Sequence, residues 1–217
     1  MKIQLMSISL VMALLSGCGE PAPQNRAVYL LMDTSGTYTE ELEKAQSIMN
    51  YLLATLDSGD SIAVARIDSG SFSEKDIIAK TTLDERPSTA NQQKRMFKQQ
   101  LDSYVNGVTK GSRHTDITGG LMQATEFLNE THAGERYVLI FSDLEEDLAK
   151  GHVRDFPIEL TGIRVVALNV TKLRTDNVDP RDYVHRLQNW ERRVVEGGGY
   201  WQVMNDLERL DRLIAER

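Results

Sequence analysis

Two hydrophobic periodicities alternate along this chain. Residues 27–32 (AVYLLM), 61–67 (SIAVARI), 137–143 (YVLIFSD) and 163–170 (IRVVALNV) are apolar, largely β-branched runs, as expected for strands buried on both faces. Between them the spacing changes to three and four. Leu42, Ala45, Met49, Leu52 and Leu56 mark one helix within 40–56, and Phe97, Leu101 and Tyr104 a second near 90–105. Ile117, Leu121, Ala124 and Leu128 mark a third, and Tyr183, Leu187, Trp190 and Val194 a fourth, closed by the glycines at 197–199. Residues 76–83 read as a shorter strand, YWQVM as a last strand, and 206–217 as a last helix. Strands alternating with helices predict an α/β fold: a mostly parallel central sheet with helices on both faces.

In an open sheet of this kind a ligand sits beyond the carboxyl ends of the strands, and the polar clusters fall there. Asp33, Ser35 and Thr37 follow the first strand, Thr115 and Asp116 open the mid-chain helix, and Asp143 ends YVLIFSD. Two carboxylates and three hydroxyls, with no required His or Cys, are hard oxygen donors suited to magnesium or calcium rather than zinc. Alternate residues of an extended turn point the same way, so Asp33, Ser35 and Thr37 can converge while Gly36 lets the backbone bend. A capping box with Thr37 or Thr39 and Glu40 would account for the hydroxyls but leave Asp33 unexplained. Asp116 reads as a helix cap.

The chain has 217 residues, 41% hydrophobic and 26% charged, with a formal net charge of −7. That suffices for one sizeable core, and the scattered basic residues give no footprint for nucleic acid. Residues 1–17 stand apart: Lys2 is their only charge, and an apolar core leads to small residues. This is the pattern of a secretory signal. Its 13 residues from Ile3 to Leu15 would reach about 20 Å as a helix, short of the roughly 30 Å of a bilayer core.

Leu15-Ser16-Gly17-Cys18 resembles the bacterial lipobox, whose Cys is acylated and becomes the first mature residue. Cys18 is the chain's single cysteine, so no intrachain disulfide is available. The resemblance implies a lipidated Cys and short tether over 18–25 and a membrane-anchored domain over 26–217. Gly19 stands where Asp marks inner-membrane retention in such lipoproteins, which favours the outer membrane, facing the periplasm.

DTSGT after a buried strand, HTDITGGL opening a helix and IFSD ending a later strand resemble, in order, the three loops of the von Willebrand factor type A domain and its metal-ion-dependent adhesion site. That resemblance implies direct ligation of a divalent cation, magnesium first with calcium or manganese as alternatives, by Ser35 and Thr37. Thr115 would bind directly or through water, and Asp33 and Asp143 mainly through water. The family implies a doubly wound sheet and binding of a protein partner, not catalysis; neutral ligands leave the ion residual charge that suits a partner Asp or Glu carboxylate. Leu144 departs from the Gly that often follows the third-loop Asp; a Cβ resists positive φ, so the third loop is expected to differ in shape. The acidic run 145–147 reads as a solvated face.

Two enzyme classes compete. A phosphatase-like nucleophile at Asp33 wants a second carboxylate two residues on, where Ser35 stands. An aspartic protease, prompted by IDSGS at 67–71, needs two equivalent Asp turns in a β-rich fold. A scaffold of the same fold without metal affinity is the third alternative.

Overall fold

The computed structural model describes residues 24–35, 41–108 and 111–206. Six strands form one sheet in the order β3-β2-β1-β4-β5-β6: β1 Arg26–Asp33, β2 Ser61–Ile67, β3 Ile77–Thr82, β4 Glu135–Phe141, β5 Ile163–Leu168 and β6 Tyr200–Met204. All neighbours are parallel except β3, which returns antiparallel to β2 through a 3-10 turn, Glu74–Asp76, and forms one edge. Four helices flank the sheet: α1 Leu42–Thr55, α2 Pro87–Gly107, α3 Ile117–Glu130 and α4 Pro180–Glu196.

The uninterrupted apolar run of β1 follows from its central place. Val28, Leu30 and Met32 pack with Met49 and Leu52 of α1 and Phe97 of α2; Ala27, Tyr29 and Leu31 pack on the other face with Leu121 of α3 and Trp190 of α4. Side chains alternate across a strand, so two helical layers need two apolar sets. The glycine stop also has a local cause. Gly198 takes φ +80°, a left-handed conformation that favours a residue without Cβ, and α4 ends just before it.

The predicted strands and helices within the described residues are all present, with bounds shifted by a few residues. YVLIFSD stops pairing at Phe141, which leaves Ser142 and Asp143 just beyond the sheet. The last helix predicted over 206–217 lies outside the described residues apart from its first residue, as do the signal segment, Cys18 and most of the tether. No described helix is long and apolar enough to cross a membrane. The aspartic-protease reading required a β-rich fold, and the doubly wound sheet removes that premise.

Candidate metal centre

Three loops meet beyond the carboxyl ends of β1 and β4, and hydrogen bonds stitch them pairwise. Asp33, the last residue of β1, is fully buried. Its Oδ1 accepts from the Ser35 backbone N–H at 2.8 Å, and its Oδ2 accepts from the Ser142 hydroxyl at 2.7 Å. The first loop is thereby tied to the third. Ser112 N–H donates to the Thr34 carbonyl at 2.7 Å, tying the first loop to the second. Thr115 and Asp147 exchange two backbone hydrogen bonds, at 2.8 and 3.0 Å, and tie the second to the third.

The side chains at this rim fall into distinct roles. With both oxygens engaged by the protein, Asp33 retains lone pairs suited to holding water rather than to being the main ligand of an ion. Asp143 is also buried, and its Oδ1 accepts from Glu145 N–H at 3.0 Å. The Thr115 hydroxyl makes no hydrogen bond to another described residue. Thr37 lies outside the described residues, as does the cap proposed for Thr37, Thr39 and Glu40.

Burial raises Asp33 above the ordinary carboxylate value, and hydrogen bonds from Ser142 and Ser35 only partly offset it. Burial likewise pushes Asp143 up to about 6, with the Asp33 charge adding to the shift. Two buried carboxylates, both held above their ordinary values, form a donor set that a divalent cation would relieve. Among the described residues no group of three or more His, Cys, Asp or Glu could hold a metal. The donors at this rim are instead two carboxylates and hydroxyls, so the chemistry fits a hard, hydrated cation and not zinc.

The third loop departs from expectation in an informative way. Leu144 does adopt positive φ, +65°, despite its Cβ. Its side chain is buried in the core, its N–H donates to the Ser142 hydroxyl at 3.0 Å, and its carbonyl accepts from the Trp190 indole at 3.0 Å. The acidic run is solvated at Glu145 and Asp147, 57% and 63% exposed, while Glu146 is largely covered. Glu146 accepts from Thr118 N–H at 2.7 Å near the start of α3 and pairs with Arg193 at 3.2 Å; the Asp147 carboxylate meets His114 Nδ1 at 2.9 Å.

Helix α4 braces this loop through residues that sequence reasoning left out or assigned only to the core. Arg186 donates to the Asp143 carbonyl at 2.9 Å and forks onto Asp176, while Arg193 donates to the Thr118 hydroxyl at 2.8 Å. Residues 186, 190 and 193 share one helical face, and that spacing was the available signal. Asp116 caps α3 through Gly119 N–H, as expected, and it is also held by a guanidinium fork from Arg154 and by Ser71 N–H. Ser142 sat inside the IFSD motif, but nothing local revealed its partner 109 residues away.

No protein-family model matches the chain, and no curated protein matches it. Solved structures do. The pilus adhesin SpaC of Lactobacillus rhamnosus GG aligns over 92% of this chain with a TM-score of 0.54 at 10% identity, and a von Willebrand factor type A protein from Catenulispora acidiphila over 89% with 0.52 at 12%. This chain covers 30% and 42% of those two chains, so it spans less than half the length of either. The conserved hypothetical protein BatB of Bacteroides thetaiotaomicron aligns over 88% of this chain and 97% of its own, with a TM-score of 0.50 at 15% identity. At these identities the likeness establishes the fold alone: the chain has the doubly wound α/β architecture found in von Willebrand factor type A domains.

Proposed function

We propose that this chain is a lipid-anchored binding module of the cell envelope that captures a protein partner through a divalent cation held by Ser35, Thr37 and Thr115 with Asp33 and Asp143. The observation that carries this reading is the Asp33 carboxylate, buried at the strand end and clamped by Ser35 N–H and Ser142 Oγ, with Thr115 and Asp143 on the joined loops. The cation when bound supplies residual positive charge, because hydroxyl ligands neutralise little of it, and so attracts a partner carboxylate. Asp33 and Ser142 fix the loop that presents Ser35. The Thr115–Asp147 bridge fixes the loop that presents Thr115. The same clamp argues against a nucleophilic Asp33, whose oxygens face protein donors rather than open solvent.

Isothermal calorimetry of the purified full chain tests the reading. Magnesium, calcium or manganese should bind, and Ser35→Ala and Thr115→Ala should each weaken binding at least about tenfold, roughly 1.4 kcal/mol, with an unchanged circular dichroism spectrum. A chain that binds no divalent cation ends the proposal and leaves a scaffold of this fold. Metal-dependent hydrolysis of phosphate esters that Asp33→Asn abolishes would replace it with the nucleophile reading.

A further inference from the structure

The wall formed by Thr34 and Ser112 belongs to two features at once. It joins the first and second loops of the rim, and it also lines a cleft of about 570 Å³ between those loops and the C-terminal end of α2. The cleft is polar: Tyr104, Arg66, Asp68 and Arg113 also line it, and among the described residues Val108 is its only aliphatic side chain. An apolar ligand would find little to bury there. Most of these polar groups are already committed to the wall. Asp68 accepts from the Ser112 hydroxyl at 2.7 Å and from Ser69 N–H at 2.6 Å, and it pairs with Arg66 at 3.4 Å. Arg66 is shared with Asp76 at 3.0 Å.

Arg113 differs from them. It lines the same cleft, is exposed, and makes no hydrogen bond or ion pair with any other described residue, in a chain whose net charge is −7. It lies two residues from Thr115 on the loop that Ser112 fastens to the first loop. We propose that this cleft is a second recognition site for the same partner, taking an anionic side chain of the bound segment against the Arg113 guanidinium. This rests on the cation-bridged reading of the rim. Arginine suits the task because its planar fork matches a carboxylate with two parallel N–H donors. An extended segment rises about 3.3 Å per residue and turns alternate side chains to one face, so an acid two residues from the one at the rim meets the same surface roughly 7 Å away. The partner segment is therefore doubly acidic.

Two synthetic peptides in a Gly-Ser background, one with a single Glu and one with a second Glu two residues away, placed in either order, provide the probe. Their affinities for the full chain in magnesium are read by fluorescence anisotropy, with and without chelator. Both should bind in a chelator-sensitive way, and one order of the two-Glu peptide should bind at least about threefold tighter, the gain expected of a partly exposed ion pair. Arg113→Gln should erase that gain and leave the single-Glu affinity unchanged; Arg113→Lys should restore part of it. A two-Glu peptide that gains nothing, or a gain that survives Arg113→Gln, overturns the subsite while the cation-bridged reading stands. If the single-Glu peptide shows no chelator-sensitive binding, the reading of the rim has failed and the subsite falls with it.

Discussion

The Trp190 indole N–H donates to the Leu144 carbonyl at 3.0 Å, so a helix on one face of the sheet holds the left-handed residue next to Asp143. Left-handed backbone costs an L-residue about 1–2 kcal/mol, and this hydrogen bond together with the buried Leu144 side chain offsets it. Trp190→Phe keeps most of the packing and removes the donor. It should destabilise the fold by about 1–3 kcal/mol through the unsatisfied buried carbonyl and weaken cation binding. Urea denaturation and calorimetry measure the two effects; wild-type values for both would show that the indole only fills space.

Leu144→Gly separates strain from packing. Glycine would relieve the backbone cost of about 1–2 kcal/mol but delete a fully buried leucine, worth about 2–5 kcal/mol. Packing outweighs strain, so the variant should be less stable than wild type by roughly 1–3 kcal/mol. A variant of equal or greater stability in urea would refute that balance.

Gly119 in the first turn of α3 answers to a different constraint. A Cβ built there would lie 2.5 Å from Asp116 Oδ2, inside the cap and the Arg154 fork. Alanine elsewhere in a helix gains about 1 kcal/mol over glycine. Here Gly119→Ala should instead lose about 1–3 kcal/mol by displacing a buried carboxylate from its donors. Thermal unfolding decides the sign, and a stabilised variant would mean that the cap shifts at little cost.

Acid should loosen the α4 brace. The Arg186 fork holds the buried Asp176 carboxyl below its ordinary value. A depressed folded-state pKa contributes stability that is fully present above the unfolded-state value, near 3.8, and is lost as pH falls through the folded value. The melting temperature should therefore drop as the pH falls below about 4, with Asp176→Asn showing a shallower fall and a lower plateau at neutral pH. Superimposable profiles would remove Asp176 as a contributor.

Cys18 gives a prediction from sequence alone. Mass spectrometry of the chain purified from membranes should find an acylated N-terminal Cys18, and Cys18→Ser should leave the membrane fraction. A chain that starts elsewhere unmodified, or a serine variant that fractionates unchanged, contradicts the anchor.

Local hydrophobic pattern alone specifies the layers. A strand buried on both faces must be apolar throughout, as Ala27 to Met32 are, and a helix on that sheet must repeat every three or four residues, as Ile117, Leu121, Ala124 and Leu128 do. Those constraints are local, so composition and spacing carry them, and with strand order they place Asp33, Ser35, Thr115 and Asp143 at one rim. Tertiary structure decided what holds those side chains. Ser142 reaches Asp33 across the β1–β4 pair, Arg154 reaches Asp116 from the connection over 142–162, and Arg186, Trp190 and Arg193 reach the third loop from α4. The antiparallel direction of β3 and the left-handed Leu144 belong with them. A serine or an arginine carries no local sign of a partner far along the chain. A residue without the usual glycine can keep a left-handed turn only when a distant donor and a buried side chain together offset its strain.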